Sequence, residues 1–135
     1  MWGNSDQRKL LKVQDFGVKG RGVIAMEDIR QGELIERSPV LIIPHEDRPK
    51  TDATICFTYV FMWEPGACEE DLYKHKGRAA IVLGYTSLLN HSYTPNAEFK
   101  HHIDEMFLDI HAVRDIKAGE EITIDYQMTL WFDPD

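Results

Sequence analysis

The run "LLNHSYTPN" (residues 88–96) breaks off an apolar segment with Asn90, His91, Ser92 and Asn96. Side chains of these types meet a polar ligand, or they close an Asx-type turn that satisfies its own backbone. For Ser92 and Asn96 the turn explains the residues at least as well. Upstream, Lys19-Gly20-Arg21-Gly22 forms a turn whose glycines let backbone N–H and C=O groups approach a ligand without Cβ interference. Glycine turns are common, so this signal is weak alone. Near the end, Glu121-Ile122-Thr123-Ile124-Asp125-Tyr126 closes a last apolar-alternating run with a phenol. Metal chemistry is not expected. His101 and His102 are adjacent in a strand and point to opposite faces, and Cys56 and Cys68 lack a partner at zinc-finger spacing.

Short β-segments broken by glycine turns must position these residues. "KLLKVQDF" reads as a first strand, "VIAM" as a brief second one, and "LIERS" and "VLIIP" as strands on either side of Pro39. Residues 44–53 read as a surface loop rich in turn formers. "TICFTYVFMWE" is apolar on both faces and fits a buried strand or a short helix. "PGACEEDLYKHKG" is a polar insertion with helix potential, and "RAAIVLG" is a buried segment. "NAEFKHHI" and "EMFLDIHAV" predict a hairpin turning near Asp104-Glu105, with Met106, Leu108, Ile110 and Ala112 on one face. "EITIDY" predicts a last strand with Ile122, Ile124 and Tyr126 on one side. The expected class is mainly β with little helix.

At 135 residues the chain is expected to form one domain, able to bury about two-thirds of its unfolded surface without disulfides or metal. Its 23 acidic and 15 basic side chains leave a net charge of −8. That field repels nucleic acid and permits a basic protein partner, although solubility alone also explains it. Residues 1–6 are polar with no apolar run behind them, so no secretory leader is expected. The apolar stretches are too short to cross a bilayer. Two reduced thiols in a cytosolic protein are expected.

Gly20-Arg21-Gly22, then Asn90-His91-Ser92-Tyr93-Thr94-Pro95-Asn96, then Glu121-Ile122-Thr123-Ile124-Asp125-Tyr126 resemble, in that order, the SET-domain protein lysine methyltransferases. The resemblance covers about residues 10–127 and is closest to the minimal, small viral type without appended zinc modules. It implies a SET-domain fold of short curled sheets with a C-terminal pseudoknot, and S-adenosylmethionine as cofactor. By match, Lys19, Gly20, Arg21 and Gly22 wrap the cofactor. Asn90 and His91 supply polar groups to it, the histidine largely through its backbone. Tyr126 becomes the catalytic hydroxyl and channel wall, with a core tyrosine ending a strand as the bland alternative. Tyr59 joins the catalytic pair and lines the lysine channel, with a plain core tyrosine as the alternative. Phe99 and His111 fall where SET enzymes place aromatics that limit the number of methyls added. Tyr85 fits the cofactor site or the core, and Trp131 or Phe132 covers the cofactor or channel mouth or simply packs on the domain.

The implied reaction is in-line methyl transfer to a lysine amine. A reference pKa near 10.4 leaves lysine about 3.4 units too protonated at pH 7, roughly 4.6 kcal/mol. A like charge about 4 Å away at an effective dielectric near 20 disfavours the ammonium by roughly 4 kcal/mol, and burial pushes the same way. No dedicated strong base is then needed. Two departures from the family stand out. Ser87, Leu88 and Leu89 replace the Arg-Phe that many relatives carry before Asn-His, and "QMTLWFDPD" replaces the cysteine cluster after the tyrosine. The expected substrate is a basic protein such as a histone, in the cytoplasm or with chromosomal material; a homodimer completing the peptide groove follows by analogy. Two alternatives stay open: a SET-shaped binding module without activity, and a methyltransferase acting on a translation protein.

Overall fold

The computed structural model describes residues 8–63 and 78–126. Strands dominate. β1 (Leu11–Asp15) and β2 (Arg21–Ala25) pair antiparallel across the glycine turn. β3 (Leu34–Ile43) is followed by a helical turn, α1 (Arg48–Thr51). Next come β4 (Val60–Met62) and β5 (Ala79–Val82), then β6 (Asn90–His91), β7 (Ala97–His102), β8 (Phe107–Ala112) and β9 (Thr123–Ile124). A five-stranded antiparallel sheet runs β4-β5-β3-β8-β7, while β6 and β9 pair parallel in a separate two-stranded sheet.

Period-two patterning places the core. Leu108, Ile110 and Ala112 of β8 are buried against Val23, Ala25, Ile29, Ile35, Ile122 and Ile124. The hairpin expectation holds at residues 97–112, but Met106 is not a strand residue. It closes the turn at φ 62° and is exposed, so the alternating face begins at Leu108. On the opposite face of β8, Asp109 is buried, where the Arg37 guanidinium grips both its oxygens at 2.7 and 2.8 Å. His102 Nε2 adds a contact of 2.9 Å. Burial alone would push the Asp109 carboxyl up, and Arg37 with His102 outweighs it and holds the group below the usual carboxylate range.

Two further expectations are corrected and one left open is resolved. β3 is one strand straight through Pro39, which sits opposite Phe107 at the end of β8, where a missing N–H costs little of the ladder. Its carbonyl still accepts from the Leu83 N–H. Residues 44–53 are not simply a loop: they hold a 3-10 turn and α1, and Arg48 is fully buried with its guanidinium on Asp52. The run at 54–63 takes both forms that its apolar faces allow, a 3-10 turn over Ile55–Thr58 and then β4.

A register shift between Leu34 and Glu36 lets Glu36 point into the domain. Its buried carboxylate accepts from the Tyr85 N–H at 3.0 Å, the Thr86 N–H at 2.8 Å and the Thr86 hydroxyl. Gly84 makes room: a Cβ there would lie 2.6 Å from Ser38 Oγ and 2.9 Å from Glu36 Oε2. This carboxylate fixes the 3-10 turn Tyr85–Leu88, which delivers the chain to β6. Glu36→Ala strands three donors and is expected to cost about 3 kcal/mol in urea unfolding; a loss under about 1 kcal/mol would mean the turn holds without it.

Candidate functional site

β6 and β9 lie about thirty residues apart in sequence and pair Asn90 with Thr123 and His91 with Ile124. The Ser92 N–H donates to the Ile124 carbonyl at 2.9 Å. Beyond β9 the Tyr126 N–H donates to His91 Nδ1 at 2.9 Å. An N–H donor there requires Nδ1 to be the acceptor, so Nε2 carries the imidazole proton. Nε2 itself is buried and has no hydrogen-bond partner among the described residues. The ring meets Tyr93 edge-on at 4.5 Å between centroids and Tyr126 at 5.1 Å.

The Tyr126 hydroxyl donates to the Leu89 carbonyl at 2.6 Å. Burial, then the Glu121 and Tyr59 charges, push its pKa up to about 12. At pH 7 only about one molecule in 10⁵ would be tyrosinate. The phenol is therefore a donor and a wall, with no capacity to act as a base. Tyr59 follows the Ile55–Thr58 turn, with its N–H on the Cys56 carbonyl at 3.0 Å, and is near enough to act on Tyr126 electrostatically.

The glycine turn divides into two functions. Gly20 adopts φ 88°, which side chains rarely tolerate, and among the described residues nothing lies within 4 Å of where its Cβ would be. Lys19 closes the Gly17–Lys19 turn and Arg21 opens β2. At Gly22 the missing Cβ serves the protein's own packing. It would lie 2.5 Å from Glu121 Oε2, 2.6 Å from Asn90 Nδ2 and 2.8 Å from the Phe16 ring. Asn90 Nδ2 donates to Glu121 at 2.6 Å and to the Arg21 carbonyl at 3.2 Å. Both neighbours are pure acceptors, which fixes the amide orientation and leaves Oδ1 directed away from them.

Ser92 closes a local turn, accepting from the Thr94 N–H at 3.0 Å. Asn96 instead reaches far along the chain: Nδ2 donates to the Glu121 carbonyl at 2.8 Å and Oδ1 accepts from the Thr123 N–H at 2.9 Å. Phe99 stands opposite Ile110 on the core face and packs edge-to-face on Phe61, while Phe99 and Tyr126 both border the same core cluster. His111 pairs with Glu98 and Leu34 on the other face of the sheet, so the fold does not bring it to Phe99 and Tyr126. Tyr85 packs on the core with the Arg8 guanidinium 5.1 Å above its ring. Trp131 and Phe132 lie outside the described residues. Glu36 and the Leu89 carbonyl escaped the reading of the sequence, and Glu121 was read only as the start of a motif, without a role of its own. A second acid in "GEE" was the available signal for Glu121; nothing marks a carbonyl.

These groups suit a cationic, amine-bearing ligand. Asn90 Oδ1 makes no hydrogen bond among the described residues, Gly20 offers open main chain, and Glu121 lends negative charge. No group of three His, Cys, Asp or Glu able to hold a metal ion occurs among the described residues.

Residues 20–127 match the SET domain family. The chain is 32% identical over 127 residues to a Schizosaccharomyces pombe protein named histone-lysine N-methyltransferase, H3 lysine-37 specific, covering 93% of this chain and 79% of that one. A crystal structure of a Plasmodium falciparum protein, described as a candidate histone methyltransferase, superposes with a TM-score of 0.67 at 26% identity, covering 93% of this chain and 99% of that one. A Chaetomium thermophilum Polycomb Repressive Complex 2 structure bound to S-adenosylmethionine shares the fold, with a TM-score of 0.68 at 21% identity over 89% of this chain and 15% of that one.

Gly22→Ala is expected to push the Asn90 and Glu121 side chains apart, at a cost of about 2 kcal/mol in thermal or urea unfolding. An unchanged midpoint would show that the pair yields without strain.

Proposed function

This chain belongs to the SET-domain family, and from that premise we propose that it is an S-adenosylmethionine-dependent protein lysine methyltransferase. The substrate we propose is a lysine in a basic segment of a histone or another chromosomal protein. One observation carries the reading: the Tyr126 hydroxyl is held on the Leu89 carbonyl, one residue from Asn90, by strands remote in sequence. The same parallel pairing supports a threaded C-terminal knot.

When bound, S-adenosylmethionine supplies an electrophilic methyl on a positively charged sulfur. Asn90 Oδ1, the main chain of Lys19–Gly22 and the backbone of His91 would hold it. Tyr126, Tyr59 and Phe99 wall the lysine channel, and His111 is left out because it sits on the other face. Partial burial among these rings lowers the ammonium pKa. The proton leaves to solvent, since a phenol with a pKa of about 12 cannot take it at neutral pH. Tyr126 then acts by alignment. Its own hydrogen bond fixes the ring, and orientation of reacting groups supplies much of such a rate gain.

The excess of acidic residues favours a Lys/Arg-rich partner, and the fission yeast relative is named for a histone H3 lysine. A histone substrate would place the protein with chromatin. A homodimer remains part of the proposal, as the arrangement that would complete a peptide groove.

Tyr126→Phe keeps the ring and removes the hydroxyl. Methyl transfer to a histone H3 peptide is expected to fall about 100-fold, while calorimetric affinity for S-adenosylmethionine moves less than about fivefold. If the wild-type chain binds no cofactor, or binds it and leaves lysine peptides unmodified, the binding-module alternative replaces this reading.

A further inference from the structure

The fold drives the Glu121 carboxylate into the seam between the glycine turn and β6. Its main chain is pinned from two sides: Glu121 forms an isolated antiparallel bridge with Ile24, and its carbonyl accepts from Asn96 Nδ2 at 2.8 Å. Its side chain is pinned as well, with Oε2 2.6 Å from Asn90 Nδ2 and within 2.5 Å of the position a Gly22 Cβ would take. Gly22 thus appears where a side chain would expel this acid. A carboxylate held so firmly projects a fixed field, and in a partly buried site that field is screened less than at the surface.

Resting on the reading that the site takes S-adenosylmethionine, we propose that Glu121 is a positioning and selectivity residue. It fixes the Asn90 carboxamide and supplies the negative potential that favours the charged sulfonium donor over the neutral thioether left after transfer. The donor and S-adenosylhomocysteine differ by one methyl group and one positive charge. Contacts to the adenosine and the amino-acid part are common to both. A preference between them therefore reports the potential near sulfur, whereas loss of Asn90 positioning weakens both alike. The same charge acts on the Tyr126 hydroxyl, which independently places it within electrostatic reach of the catalytic end of the site. Favouring donor over product also helps turnover, since the spent thioether is the species that must leave.

The test is calorimetry of the full chain with S-adenosylmethionine and with S-adenosylhomocysteine. Glu121→Gln keeps the shape and an acceptor oxygen for Asn90 while removing the charge. Donor affinity relative to thioether affinity is expected to drop about tenfold from the wild-type ratio. Glu121→Asp keeps the charge and withdraws it from Asn90; its ratio is expected to stay within about twofold of wild type even if both affinities weaken. An unchanged ratio in the Gln variant, or a ratio lost in the Asp variant, overturns the inference. If the Gln variant does not fold, Glu121→Ala takes its place under the same criterion, with the ratio expected to drop about tenfold and an unchanged ratio overturning the inference. A wild-type chain that binds neither compound refutes the cofactor reading itself, an outcome distinct from two bound ligands whose ratio ignores residue 121.

Discussion

One backbone amide holds the site together. The Tyr126 N–H on the His91 imidazole continues the short β6–β9 ladder past its last strand residue and fixes both rings at once. Parallel pairing of two-residue strands is weak by itself. Here it is reinforced by Asn96, whose carboxamide bonds on both sides to the Glu121–Thr123 backbone. It is also backed by Ile122 and Ile124, both fully buried. The imidazole proton is placed by this contact, and the phenol direction by the hydroxyl's own bond to the Leu89 carbonyl. Every functional role given to Tyr126 depends on that geometry.

The electrostatics follow from the same packing. Burying a phenol next to a carboxylate and a second phenol makes its ionised form costly, so Tyr126 stays protonated and donates. A site with this character has no strong base, and it is hospitable to positive charge. Hospitality to positive charge suits a cationic methyl donor, and the lack of a strong base suits an amine that loses its proton to water. The buried Glu36 does comparable work one layer away. It converts the end of "LGYTS" into a rigid turn, so that Leu89 and Asn90 enter the site in a fixed orientation.

Much of this was legible in the residues. The alternation in "FLDIHA" gave its buried face, the turn between β7 and β8 fell where Asp104-Glu105 indicated, and the polar break at Asn90-His91 marked the meeting point. What was not legible came from long-range partners. Asp109 reads as an exposed strand residue until Arg37, seventy-two positions away, covers it. Arg48 reads as loop until Asp52 allows it inside. Pro39 reads as a strand break until β8 ends beside it. His111 and Phe99 looked equivalent by motif, and only the pairing register assigns them to opposite faces. Gly22 matched a ligand-approach pattern, yet the atoms it makes room for belong to Asn90, Glu121 and Phe16.

The contact at residue 126 can be observed in solution by nuclear magnetic resonance, as a scalar coupling across the hydrogen bond between the Tyr126 amide nitrogen and His91 Nδ1. The account predicts that coupling, a His91 ring proton on Nε2, and a Tyr126 amide as protected from exchange as the strand amides of β8. A missing coupling, with Nδ1 bearing the proton and the Tyr126 amide exchanging like an open loop, would contradict it.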